Sequence, residues 1–381
     1  MVMFAGKLAL APMVRAGELP TRLLALQNGA DLVWSPEIVD RKLIQTTRHI
    51  NEKLNTVDYT IGPPTNENVV FRTHRSLEIE PKRLIFQIGS ANPDLAVQAS
   101  LKVIKDVGGI DLNAGCPKHF SIHSGMGAAL LSTPDLLCDI LKALVEKVGV
   151  PNGKPISCKI RVLDSVDDTV KLVERICGTG ITHLTVHCRT RPMRNREQPL
   201  WEYMRHIESV CNKFGVSLIL NGGIKDKAHF LELRNKLEVS ENVGGMIAEC
   251  AERNPTVFSD SPKEWYLMCK EYVKLAESFE NHFGNTKYLL GRMIPGKHKI
   301  YQFVTRCRNY EQLDYVLNCL DSATGEILND PSEYLFQQKE LEKKQLQQQQ
   351  QQSKKNRKRA SISVEAAEKE KELTSKKLKR E

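Results

Sequence analysis

Short apolar runs rich in Val, Ile and Leu recur eight times along roughly the first 250 residues, and most give way to stretches whose apolar positions return every three or four residues. The runs are KLALAPM from Lys7, DLVWSP from Asp31, RLIFQIG from Arg83, GIDLNAG from Gly109, PISCKIR from Pro155, HLTVHCR from His183, SLILNGG from Ser217 and GGMIAEC from Gly244. Each has the length and branched composition of a buried strand. Between the fourth and fifth, Ser132 to Val148 sets Leu136, Leu137, Ile140, Leu141, Leu144, Val145 and Val148 on one face of a helix. Strand and helix alternating eight times predict an α/β protein built as a (β/α)8 TIM barrel, with a doubly wound sheet as the competitor.

Two interruptions depart from a minimal barrel. Glu37 to Lys82 is too long for a plain connection, and TVDYTI (Thr56 to Ile61) and NVVFRT (Asn68 to Thr73) flank a Gly-Pro-Pro turn there, which predicts an inserted β-hairpin. Beyond the eighth run, Pro262 to Gln337 reads as helices alone, among them Trp265 to Phe279 and Tyr310 to Leu320, with breaks at Gly284, Pro295-Gly296 and Gly325. The expected organisation is a barrel catalytic domain over residues 1–258, a C-terminal all-helical domain over 259–337 and a tail over 338–381.

Charge refines this picture chiefly through the tail. The net charge is +9, yet residues 339–381 hold 14 Lys/Arg against 7 Asp/Glu, so most of the excess sits there. That segment, with six consecutive glutamines at 347–352 and the basic clusters KKNRKR and KKLKR, has too few apolar residues to bury and is expected to be disordered or a frayed, exposed helix. Its basic clusters suit a nuclear-import signal, an RNA-contacting arm or a solubilising tail, and they underlie an expected cytoplasmic and nuclear location. The apolar patch at Met1 to Ala11 is broken by Gly6, Lys7 and Pro12, so no membrane segment is expected. Ten cysteines without a C-x-x-C pair argue against a zinc ribbon and a disulfide framework, and for reduced thiols.

Candidate chemistry gathers at the ends of the predicted strands, where barrels place their active sites. Gln87, Asn113, Lys159, His187 and Asn221 each stand near the end of one run. Lys159, between Cys158 and Ile160, requires an anionic partner if buried. NGGI and GGMIAEC bring backbone amides to the last two strand ends, where barrels commonly bind phosphate, so a phosphorylated, electron-accepting ligand fits the mouth. Cys116 is set between Gly115 and Pro117 in a polar loop with Lys118, His119, Ser121, His123 and Ser124, an environment that suits a chemical thiol rather than a packing one. A metal site from Cys116, His119 and His123 is the competing reading, but their spacing matches no recognised ligand set.

The segments APM (Ala11 to Met13), FQIGS (Phe86 to Ser90), DLNAGCPKHFSIHSGMGAALL (Asp111 to Leu131), KIR (Lys159 to Arg161), TVHCRTR (Thr185 to Arg191) and NGGI (Asn221 to Ile224) resemble tRNA-dihydrouridine synthases. The resemblance is to the eukaryotic branch acting on uridine 20 of the D-loop, in a fungal-like version, and spans roughly Lys7 to Tyr334. It implies an FMN-dependent enzyme that reduces the C5=C6 bond of a tRNA uracil with NADPH, hydride passing from flavin N5 to C6 and a proton from Cys116 to C5. Pro12, Met13, Val14, Gln87, Lys159 and His187 would then face the flavin, and Asn221, Gly222, Gly223, Ala248 and Glu249 its phosphate. Bacterial relatives carry Gly-Arg where this chain has Ala248-Glu249, so the phosphate would rely on backbone N–H groups, on another basic residue such as Arg253, or on both. Asn113, Lys118, His119, Arg189, Arg191, Arg194 and Arg196 would meet the substrate, the helical domain would add tRNA-binding surface, and a monomer without metal is expected. The rivals are a flavin barrel reducing a small enone or pyrimidine, and an inactive RNA-binding scaffold on the same fold.

Overall fold

Runs dense in β-branched residues cannot leave one face in water, and here eight of them close on one another. In a computed structural model describing residues 4–118, 122–353 and 356, the strands are β1 (Leu8–Leu10), β2 (Leu32–Trp34), β3 (Leu84–Gly89), β4 (Gly109–Ala114), β5 (Ile156–Arg161), β6 (His183–His187), β7 (Ser217–Asn221) and β8 (Gly244–Ile247). Every neighbouring pair is parallel, and β1 pairs with both β2 and β8 while β2 pairs with β3, so the sheet closes into a barrel. The (β/α)8 reading therefore holds, and the doubly wound alternative falls.

The barrel floor is packed rather than open. Phe4 stacks on His183 with ring centroids 4.2 Å apart, Trp34 tilts against both, and Ala9, Ala11, Ile85, Ile219 and Met246 fill the space around them. Burial pushes the His183 imidazole down to about 3, so it is a neutral packing group at physiological pH. Outside the barrel, the helix Pro134–Leu144 lies within the predicted helical stretch and buries Leu137, Ile140, Leu141 and Leu144.

The insertion is larger than a hairpin. Thr47–Asn51 pairs antiparallel with Thr56–Thr60, which pairs with Val69–His74, giving a separate three-stranded sheet. Its first strand, TRHIN, is mostly exposed and lacks alternating apolar residues, so no period marks it in the sequence. After Phe258, the last residue of the barrel's cluster, the helices Trp265–Ser278, Phe283–Met293, Ile300–Arg306 and Tyr310–Asn318 build most of a second apolar cluster, which also takes in Ala16 and Leu24 from the start of the chain. Gly284, expected to break a helix, lies inside Phe283–Met293, and the break falls just before it. The tail residues 338–353 form an exposed helix, and the basic clusters beyond lie outside the described residues apart from 356. No helix among the described residues is long and apolar enough to cross a membrane.

Candidate active site

Side chains two apart on a strand share a face, so a polar pair at i and i+2 within an apolar barrel strand points into the interior. Asp111 and Asn113 on β4, Lys159 and Arg161 on β5, and Thr185 and His187 on β6 are such pairs. Parallel register aligns them around the barrel: Gln87 lies beside Asp111, Asn113 beside Lys159, Lys159 beside Thr185, Arg161 beside His187, and His187 beside Asn221. Polar groups thus climb toward the mouth from strand to strand.

The lower step is a buried carboxylate. Asp111 accepts hydrogen bonds from Gln87 Nε2 (2.9 Å) and the Ser157 hydroxyl (2.6 Å). Burial nevertheless raises it to about 6, because those bonds and the charge of Lys159 offset only part of the desolvation. Lys159 is driven the other way, to about 8, first by burial and then by repulsion from Arg161, with Asp111 and Cys116 opposing. Arg161 is lowered to about 10 by burial and by Arg189. Its guanidinium donates to the carbonyls of Gly115 (2.9 Å) and Thr190 (3.0 Å), so it ties the Cys116 loop to the loop after β6.

His187 is held neutral, its pKa far below the usual imidazole range, by burial and by Lys159, Arg161 and Arg189. Arg189 Nη1 lies 3.3 Å from His187 Nε2; since arginine only donates, Nε2 accepts and the ring proton sits on Nδ1. A cavity of about 480 Å³ opens here, lined by Met13, His187, Arg189, Asn221, Gly222, Gly223, Ala248, Glu249, Arg253 and Arg292 among others. Gly222 and Gly223 have φ of +107° and +78°, and a Cβ on Gly222 would come within 2.6 Å of the His187 ring, so this turn requires glycine. Glu249 pairs with Arg253 (2.7 Å) and accepts from Asn195 Nδ2 (3.3 Å), which leaves a mixed wall rather than a purely basic one.

On the other side of the mouth stands the Cys116 loop. Asn113, expected from the sequence to meet substrate, holds the loop with its Oδ1, which accepts the backbone N–H groups of Gly115 (3.0 Å) and Cys116 (3.1 Å). Cys116 is half-buried and Lys118 exposed. Beside them a second cavity, about 430 Å³, is lined by Pro117, Ile122, His123, Arg191, Pro192 and Arg194. Arg196 is also exposed, whereas Arg189 is buried and donates to the carbonyls of Asn195 and Glu197. Arg189 therefore lines the mouth. His119 lies outside the described residues, Pro12 is half-buried and Val14 exposed. A larger cavity, about 720 Å³, lies in the helical region among Lys287, Arg306, Arg308 and Lys339, and shares no residue with the mouth.

Three participants escaped the sequence reading as site residues: Asp111, Arg161 and Arg292. The first two were legible as in-phase partners of Asn113 and Lys159. Arg292 reaches the cavity from the helical region, pairing with Glu252 (3.2 Å), and no local pattern announces such a contact.

A closed parallel barrel with an electropositive mouth and a thiol-bearing loop over it defines the class: a (β/α)8-barrel enzyme built for an anionic ligand. Comparison makes the class specific. Residues 9–331 match the family model described as dihydrouridine synthase (Dus). The chain is 56% identical over 352 residues to the tRNA-dihydrouridine(20) synthase [NAD(P)+] of Saccharomyces cerevisiae, covering 90% of this chain and 91% of that protein. It is 47% identical over 316 residues to the Schizosaccharomyces pombe protein of the same name, covering 81% of this chain and 64% of that one. With the tRNA-dihydrouridine(20a/20b) synthase of S. cerevisiae it shares 32% identity over 216 residues, 55% of this chain and 51% of the relative. The chain belongs to the dihydrouridine synthase family.

Proposed function

We propose that this protein reduces a D-loop uridine of tRNA, at position 20, to 5,6-dihydrouridine, with FMN as resident cofactor and NADPH as reductant. Support for the position and the reductant comes from the names of its S. cerevisiae and S. pombe relatives. The observation that carries the cofactor is the charge of the mouth. Lys159, Arg161 and Arg189 are all lowered by burial, and among the described residues none of them is ion-paired with a carboxylate. Buried positive charge in excess of its counter-charge, three cations against the one carboxylate of Asp111, is costly unless an anion completes it. A phosphate-bearing, electron-accepting ring system is such an anion, and FMN fits.

Asn221, Gly222 and Gly223, with the backbone at Ala248 and Glu249, would hold its phosphate beside Arg189 and Arg253; Met13, Gln87, Lys159 and His187 would face its rings. When bound, FMN supplies the hydride delivered to C6 of the uracil. The chain supplies the rest. Cys116 gives its Sγ proton to C5, where the charge left by hydride addition must be quenched. The Gln87 amide orients Asp111 and the neutral His187 accepts from Arg189, neither carrying charge itself. A uracil inside the folded tRNA must be extruded to reach this depth, losing stacking worth a few kcal/mol. Lys118, Arg191, Arg194 and Arg196 would recover that through phosphate contacts.

The test is anaerobic single turnover. Protein reduced with NADPH is mixed with unmodified tRNA, and flavin absorbance and dihydrouridine content are followed together. Reoxidation matched by dihydrouridine at position 20 supports the reading. Reoxidation by a small enone or pyrimidine but not by tRNA would leave a barrel reductase of another substrate class.

A further inference from the structure

One charged residue on the wall of the mouth cavity is not supplied by the barrel. Three arginines and two glutamates line that cavity: Arg189, Arg253, Arg292, Glu249 and Glu252. Arg292 alone comes from the helical region, on the helix Phe283–Met293. With His187 neutral, these groups leave a net of one positive charge. A phosphate monoester carries about −1.5 to −2 charges at neutral pH. Arg189 is already committed to the carbonyls of Asn195 and Glu197 and to His187. An arginine now held by a glutamate must therefore serve the anion as well.

The two glutamates hold their arginines differently. Glu249 and Arg253 pair at 2.7 Å within one short helix, with side chains 42% and 59% exposed, so water already solvates both. Glu252 is only 14% exposed, and both of its oxygens are met from the helix Phe283–Met293. Oε1 accepts from the Tyr288 hydroxyl at 3.0 Å and Oε2 from Arg292 Nη2 at 3.2 Å. That is the one hydrogen bond of the Arg292 side chain among the described residues, which leaves four of its five N–H donors for an anion. Lending Arg292 to a ligand would not strand Glu252, because Tyr288 stays on it. A second tie holds the same helix against the barrel. Arg15, two residues beyond the cavity-lining Met13, stands 4.3 Å over the Tyr288 ring and donates from Nε to Asn285 Oδ1 at 3.4 Å. The turn after β1 and the helix after β8 thus fix Arg292 at the rim from two sides.

We propose that Arg292 is a phosphate-binding residue of the flavin site, lent to the barrel by the helical region and held ready by Glu252 and Tyr288. This rests on the FMN reading above, and the test separates the two. The full-length protein is stripped of flavin and titrated with FMN and with riboflavin, which has the same rings but no phosphate, following flavin fluorescence. Arg292→Met should weaken FMN about 10-fold, the usual effect of a lost charge-assisted bond, and leave riboflavin within about twofold. Glu252→Gln keeps the acceptor for Tyr288 but removes the charge that competes with phosphate for Arg292. It should tighten FMN about threefold, again with riboflavin unaltered. If Arg292 were only a latch between helical region and barrel, both substitutions would loosen the same contact and shift both flavins in the same direction.

Equal losses for FMN and riboflavin in Arg292→Met overturn the proposal, as does wild-type FMN affinity in that variant. Weaker FMN binding in Glu252→Gln overturns it too. Wild-type protein that binds FMN no better than riboflavin removes the FMN reading itself, and Arg292's role with it, whereas an FMN preference that survives Arg292→Met strikes only the role given to Arg292.

Discussion

Two groups of buried charge sit in this molecule and they are built on opposite plans. At the junction of barrel, inserted sheet and helical region, every cation has its carboxylate. Arg22 pairs with Glu80 at 2.5 Å and donates to the carbonyls of Gly17 and Arg72; Arg72 grips Asp58 with two bonds of 2.7 Å and reaches Asn66 and the carbonyl of Phe279. Glu80 also accepts from the Thr73 hydroxyl and the His74 N–H. In the mouth, Lys159, Arg161 and Arg189 crowd together with Asp111 as the buried acid among them. The two aspartates register the difference. Burial pushes Asp58 up, but the hydrogen bonds and charge of Arg72, with hydrogen bonds from Asn51 and Thr56, together outweigh it and its pKa ends below the ordinary value, while for Asp111 burial wins and the value rises to about 6. A completed network holds parts together; an incomplete one waits for a ligand.

The sharpest way to test the mouth is to remove the thiol proposed as its proton donor. Cys116→Ala should leave reduction by NADPH intact and slow tRNA-driven reoxidation by about 10²- to 10⁴-fold, the usual worth of a positioned general acid. Stopped-flow absorbance separates the two half-reactions. Equal loss in both would mean that the loop shapes the pocket instead of delivering a proton.

At the junction the expected loss is in stability. Glu80→Gln strands the Arg22 guanidinium, 1% exposed, against a neutral amide and should cost about 3–5 kcal/mol. Urea unfolding reads this directly, and the fraction still folded should reduce its flavin at the wild-type rate. A loss below about 1 kcal/mol would place this network with ordinary surface pairs and dissolve the contrast.

How legible this was depends on the range of the signal. All eight barrel strands announce themselves by local composition, and Gln87, Lys159, His187 and Asn221 by ending them. Asn113 was visible but its task was not, because the bond from Oδ1 to the Cys116 loop depends on a backbone path that no residue type encodes. The junction was invisible altogether: Arg22, Arg72, Asp58 and Glu80 come from four separate segments, and a charged residue in a sequence reads as surface until the fold buries it. Thr47–Asn51 was lost for a related reason, being an exposed edge strand with no period to detect.

Lys159 lets the two plans be compared by the sign of a stability change. Its depressed value of about 8 means that the folded apoprotein carries the charge at a cost that is full below that pH, begins to fall as pH rises through 8 and is gone only above the ordinary lysine value of 10.5. Lys159→Met should therefore raise the thermal midpoint of flavin-free protein at pH 7 by a few degrees while weakening FMN binding about 10- to 100-fold. In wild type, FMN affinity should fall above pH 8 with a slope of up to one decade per pH unit, as binding comes to require proton uptake. Fluorescence titration of FMN from pH 6.5 to 9.5 measures that slope, and in the methionine variant it should be flat. An unchanged slope there would assign the proton to another group.

The smallest effect belongs to the exposed arginines, and it separates a third kind of charge from the other two. Arg191, Arg194 and Arg196 are solvated, so their removal leaves no buried group stranded and should change stability by less than about 0.5 kcal/mol. Their contribution is to release counterions from a bound polyanion, which appears only in how affinity depends on salt. The triple alanine variant should bind tRNA more weakly, with a log-affinity against log-salt slope shallower by about 1 to 2, while NADPH oxidation stays unaltered. Because neither folding nor flavin binding depends on these side chains, an unchanged slope would move the RNA contact elsewhere, with the basic face of the helical region around Arg306 and Lys339 the next surface to neutralise.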